Sequence, residues 1–200
     1  MRSDRLRCFG LIASTIVLAA CDTRVHAAGD ASMPLDPDGG TTPTHATIGR
    51  AGCEHPSIVS APVGTTSTTA VVALYPVHVP FEVTHVEYEL AERDGCDASR
   101  AHRVRVLVSE GETLDASALV VLDRDVHADA PGTLSLALDE PAPLDAEQRL
   151  WVEIDLGVCL ALCPGRDTHR DAFRSDTRAL EPLDADGRLV VRAVGIGHTR

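Results

Sequence analysis

The chain contains no lysine, no asparagine and a single glutamine, Gln148. Without asparagine there is no N-glycosylation sequon. All 18 basic residues are arginine, which reads as a GC-rich coding sequence avoiding A-rich codons rather than as a guanidinium function. Aromatic residues make up only 3% of the 200, thin for a base-stacking or sugar-stacking surface. Basic charge is in deficit as well. The 30 acidic residues leave a formal net charge of −12, which argues against nucleic acid and against electrostatic docking on anionic lipid. Histidine pairs of the H-x-H or H-x3-H kind are absent, and so is a G-x-S-x-G nucleophile elbow. No catalytic motif stands out, and no cofactor is expected. What the chain does have is 44% hydrophobic and 24% charged residues, enough for a packed core in one domain with a tail.

The N-terminus reads as a targeting signal. Arg2, Arg5 and Arg7 stand against Asp4, and Phe9 to Ala20 is an apolar run of 12 residues. That run is too short for a transmembrane helix and has the length of a signal-peptide core. It ends in Leu18-Ala19-Ala20-Cys21. Small residues at the two positions before a cysteine form a lipobox, and here the sequence resembles a bacterial lipoprotein precursor. The resemblance covers residues 1–21. It implies cleavage between Ala20 and Cys21, diacylglycerol on the Cys21 sulfur and acylation of the new N-terminus. Two or three acyl chains hold a protein stably on a membrane, where one does not. Loss of residues 1–20 removes three Arg and one Asp, so the net charge falls from −12 to −14. Lipid rather than surface charge then places the chain at the bacterial cell envelope, on its periplasmic or its surface face.

Residues 21–52 are polar and rich in Gly, Pro, Thr and Asp, without helical or strand periodicity. They read as the lipidated cysteine and a flexible linker, which as a coil spans roughly 30 Å. From residue 53 to 200 the pattern changes to short segments of period two. Val83 to Leu90 puts Val86, Tyr88 and Leu90 opposite His85, Glu87 and Glu89. His102 to Ser109 puts Val104, Val106 and Val108 opposite Arg103 and Arg105, with His102 on the apolar face. Thr133 to Leu138 and Arg149 to Leu156 alternate in the same way, and Thr69 to Tyr75, Leu119 to Asp123 and Arg188 to Val194 are further strands. Asp186-Gly187 signals a tight turn before the last of them. The pattern predicts an all-β domain. The expected form is an antiparallel β-sandwich of about seven to eight strands, jelly-roll-like or immunoglobulin-like. A short helix is expected near Arg170 to Leu180, inside a long stretch, Gly157 to Gly187, that otherwise lacks strand pattern.

Four cysteines remain for the domain: Cys53, Cys96, Cys159 and Cys163. An even number in an exported domain favours disulfides over zinc. Three pairings are open; the one expected joins Cys96 to one of Cys159 and Cys163, and Cys53 to the other.

Three constellations invite chemistry. Glu153 and Asp155 in Trp151-Val-Glu-Ile-Asp-Leu156 resemble part of the E-x-D-x-x-E strand of laminarinase-type β-sandwich glycosidases, in which alternate carboxylates share one strand face. The third acid of that motif is absent, and a solvated strand face accounts for the two present. Asp123, Asp125, His127 and Asp129 alternate like calcium ligands, but without the turn glycine or the bidentate glutamate of such loops. His169, Asp171 and Ser175 are too close in sequence for a hydrolytic triad. The same strand offers a binding surface instead. Trp151 falls on its polar face, with Arg103 and Arg105 at corresponding positions of another strand. An exposed indole beside Arg103, Arg105, Glu153 and Asp155 would stack and anchor a polysaccharide. The alternative is a cross-strand ladder of Arg–carboxylate pairs with the indole covered by a loop. The sequence thus points to a lipid-anchored, non-catalytic binding module, its partner a polysaccharide or an envelope protein.

Overall fold

The structure is a computed structural model that describes residues 42–60, 68–76, 80–91, 97, 99–164, 172–175, 180–182 and 187–199. Its compact β unit runs from Asp38 to Arg200. Strands are numbered in chain order, β1 to β13, and every pairing is antiparallel. The first sheet runs β1 (Thr42–Gly49), β13 (Val191–Thr199), β4 (Phe81–Leu90), β9 (Leu160–Pro164), β12 (Gly187–Leu189). β2 (Ser57–Val59) pairs with β9 and β7 (Gly132–Leu144) with β4. The second runs β11 (Leu180–Pro182), β10 (Ala172–Ser175), β3 (Thr69–Leu74), β8 (Gln148–Asp155), β5 (His102–Glu110), β6 (Leu119–Val126).

The two sheets form the layers of a sandwich because their strands alternate as the sequence does. Val86, Tyr88 and Leu90 of β4 are buried, as are Val104 and Val106 of β5 and Leu150, Val152 and Ile154 of β8. They join one continuous core with Phe81, Leu144, Leu156 and Leu160. The three-residue core face of β8 alone stabilises the fold by several kcal/mol, at about 1.5–3 kcal/mol for each fully buried aliphatic side chain.

A polar pair bridges the layers. The Tyr88 hydroxyl of β4 lies 2.6 Å from Nε2 of His102 on β5. Nδ1 of His102 lies 3.1 Å from the Arg100 carbonyl, which can only accept, so Nδ1 carries the proton and Tyr88 donates to Nε2. Burial holds the His102 pKa below its ordinary value, and it pushes the Tyr88 phenol up. Asp155 favours the charged imidazole and His127 opposes it, both less than burial does. The sign follows. The unfolded chain binds a proton at His102 near the ordinary histidine pKa of about 6.5, and the folded chain binds it only at lower pH. This contribution is fully present above about pH 6.5 and is lost as pH falls toward the folded value. Urea midpoints measured between about pH 7.5 and 5 should therefore drop more steeply for the wild type than for His102→Gln. Parallel slopes would contradict the assignment.

The sequence boundaries need correction. Residues 42–49, expected within the linker, form β1 and pair with β13 from Thr42↔Thr199 to Gly49↔Arg192. Gly49 ends that strand at φ +100°, where a Cβ would meet the Val191 carbonyl at 2.5 Å. Strands number thirteen among the described residues, not seven to eight. The stretch expected to hold a helix carries β10, and the supposed long loop also holds β9 and β11. Cys53 and Cys163 form a disulfide across a separation of 110 residues. Cys159 is disulfide-bonded as well, to a partner outside the described residues, where Cys96 also lies. Cys21 and the lipobox lie outside them too.

Candidate functional site

The outer face of the second sheet carries the residues the sequence singled out. Cross-strand register sets Val71, Glu153, Arg105 and Asp123 in one row, and Ala73, Trp151 and Leu107 in the next. Arg103 binds Asp123 through both carboxylate oxygens, at 2.6 and 2.7 Å. Arg105 donates to Glu153 at 2.7 Å and lies 3.6 Å from Asp123. The Arg103 guanidinium holds the Asp123 carboxyl below the usual carboxylate range. Asp155 sits at the strand end and accepts from the Gly157 amide at 2.8 Å.

This is the charge ladder, and its groups are already matched to one another. The Arg105 and Glu153 side chains are 35% and 17% exposed, so water screens the pair. An Arg105→Ala/Glu153→Ala double-mutant cycle should give a coupling of only about 0.2–1 kcal/mol, smaller still in high salt. A coupling above about 2 kcal/mol would show that the pair is far less screened than its exposure implies.

Trp151 is not an exposed platform. It is 2% exposed, and its indole Nε1–H donates to Ser109 Oγ at 2.7 Å. Strand parity does place it on the outer face, but that end of the face is roofed. Leu114 and Ala118, from the β5–β6 connection, and Leu180 of β11 pack over Val71, Ala73, Leu107 and Trp151. The expected sugar surface of Trp151, Arg103, Arg105, Glu153 and Asp155 is thereby corrected to a covered apolar cluster beside a self-paired ladder. Tyr75 is exposed, but the Arg149 guanidinium lies over its ring at 4.6 Å. In the stretch weighed as a calcium loop, Asp123 is instead engaged by Arg103. His169 and Asp171 lie outside the described residues, and of Ser175 only the backbone, in β10, is described.

The concave site lies elsewhere. A groove of about 560 Å³ opens between β6 and β7. Its apolar floor includes Val108, Leu119 and Val120, and its rim includes Asp139, Glu140 and Pro141. Leu119 and Val120 are 66% and 42% exposed, conspicuous because most other large apolar side chains among the described residues are buried. Two local irregularities build the groove. A bulge in β6 shifts the register between Val106 and Leu107 of β5. In β7, Leu138 to Pro141 oppose Thr84 of β4 alone, so this segment leaves the ladder and stands up as a rim. Arg124 of β6 crosses to Asp139 of β7 at 2.7 Å and ties the two walls together. At the other side Gln148 donates to Glu110 at 2.7 Å.

No family model matches the chain, and no curated protein matches it. Among solved structures it is similar to the clostridial cysteine protease Cwp84 after propeptide cleavage. That match has a TM-score of 0.54 and 12% identity, over 78% of this chain and 40% of that one. A second is a structure of the cysteine protease and lectin-like domains of Cwp84, a surface layer associated protein of Clostridium difficile. Its TM-score is 0.51 and its identity 11%, over 66% of this chain and 32% of that one. The chain thus spans well under half the length of either neighbour, and the likeness at this identity is one of fold.

Proposed function

We propose that this chain is a non-catalytic interaction domain of the cell envelope, tethered through an acylated Cys21, that engages a protein partner at the β6–β7 groove. One observation carries the reading: Leu119 and Val120 are exposed on an edge strand that borders the β6–β7 groove. Apolar side chains left in water beside a cleft are a common mark of an interaction site. The fold shared with a surface layer associated protein that carries a lectin-like domain supports an envelope-facing binding role. A protein partner is favoured over a polysaccharide because the indole is buried and the ladder charges are paired among themselves.

Leu119→Lys combined with Val120→Glu tests the site. The melting temperature should stay within about 2 °C, as for ordinary surface substitutions, while partner proteins no longer co-isolate with the domain from native envelopes. Full retention of those partners, or saturable glycan binding that the double variant leaves intact, would overturn the reading. The anchor is tested separately. Cys21→Ser should abolish incorporation of labelled palmitate and move the protein from the membrane fraction to the soluble one. Persistent labelling would refute lipidation at Cys21.

A further inference from the structure

Edge strands usually carry features that prevent another strand from pairing with them, such as charges, bulges and prolines. β6 carries charges on one half only, and its bulge falls at Val121, where the two halves meet. Asp123, Arg124 and Asp125 stud its C-terminal half, and Arg124 is drawn across to Asp139. The N-terminal half, Leu119-Val120-Val121, has no charge, and no strand pairs its outer edge among the described residues. That uncharged half borders the groove. The facing rim offers little competition for a guest backbone, because Pro141 and Pro143 have no N–H to donate.

The groove also has a charge sign. Glu140 lies on the rim, and Glu110, beside the lining residue Gln148, is bonded to its neutral amide, which does not cancel its charge. The nearby cations are engaged elsewhere. Arg124 is on Asp139, and Arg149 lies over Tyr75 and donates to the Ala146 and Gln148 carbonyls.

We infer that the groove receives an extended segment of the partner protein, which adds as a strand to the outer edge of β6 and alternates apolar side chains with lysine or arginine. This rests on the groove reading above and specifies its ligand. The segment's backbone pairs with Leu119 and Val120, up to the bulge at Val121, its apolar side chains lie on Val108, Leu119 and Val120, and its cations meet Glu140 and Glu110. Strand addition draws affinity from main-chain hydrogen bonds and specificity from alternate side chains. At about 3.3 Å per residue, three to four residues of the segment span this uncharged part of the strand.

The test uses the oxidised full-length protein in detergent and four synthetic decapeptides. These are one alternating valine with lysine, its glutamate counterpart, a scrambled form, and a form N-methylated at alternate amides. The alternating cationic peptide should bind at least tenfold tighter than the other three. Glu140→Lys should erase its advantage over the acidic peptide, and Leu119→Lys should weaken it at least tenfold without a change in melting temperature. Equal affinity for the cationic and acidic peptides would overturn the inference, as would full affinity of the N-methylated form. If all four peptides fail but native partners still depend on Leu119 and Val120, strand addition is wrong and the groove reading stands. If native partners ignore those residues as well, both fall.

Discussion

Trp151→Ala should destabilise the domain by about 3–5 kcal/mol, the range for deleting a buried aromatic side chain. The indole is 2% exposed and packs on Val71, Ala73 and Leu107 under Leu114, Ala118 and Leu180. Its removal also leaves the Ser109 hydroxyl, itself 3% exposed, without the indole N–H. A chain of this size loses about 2–4 °C of Tm per kcal/mol, so a fall of roughly 6–20 °C is expected. Urea denaturation followed by far-UV circular dichroism measures it. A surface tryptophan would behave in the opposite way, with a stability change below about 0.5 kcal/mol and any phenotype confined to ligand binding. That pattern would restore the indole as a binding platform.

The Cys53–Cys163 disulfide should have a comparable effect. It closes a chain separation of 110 residues, and in the loop-entropy account a loop near that length contributes about 4–5 kcal/mol. It fastens the segment before β2 to β9, where Cys163 is fully buried. Cys53→Ala with Cys163→Ala should cost about 2–5 kcal/mol, measured against the oxidised wild type. The double substitution is preferable to reductant, because Cys159 is also disulfide-bonded and would be reduced as well. An unchanged urea midpoint would show that packing around β9 holds this region without the bond.

Period two made the sandwich legible wherever one strand face is wet. β4, β5 and β8 lie within two residues of where alternation placed them, and their inward residues are buried. His102 was readable as a core histidine because it shares a face with Val104 and Val106, and the structure gives it two partners. The strands that escaped notice did so for physical reasons. β9 is buried on both faces at Leu160 to Cys163, so it has no polar alternation to read. β1 is an exposed edge strand of Thr, Pro, His and Ala, indistinguishable in composition from a linker.

The candidate site was less legible. Parity correctly put Trp151 on the face of Arg105 and Glu153. No local signal reveals that Leu114 and Leu180, 37 and 29 residues away in sequence, fold over it. The groove was hidden for a similar reason. It arises from a bulge and an offset in register, and register is a property of strand pairs rather than of one segment. The hint available in the sequence was Leu119-Val120-Val121-Leu122, an apolar run without the alternation that a half-buried edge strand should show.

The most direct test of the groove as the interaction site is site-specific photo-crosslinking in the native envelope. A photoreactive side chain would be placed at Leu119 in one strain and at Arg103, on the charge ladder, in another. Protein adducts formed from position 119 and not from position 103 are the predicted result. Adducts from 103 alone, or none from 119 in a correctly folded and envelope-localised protein, would contradict it.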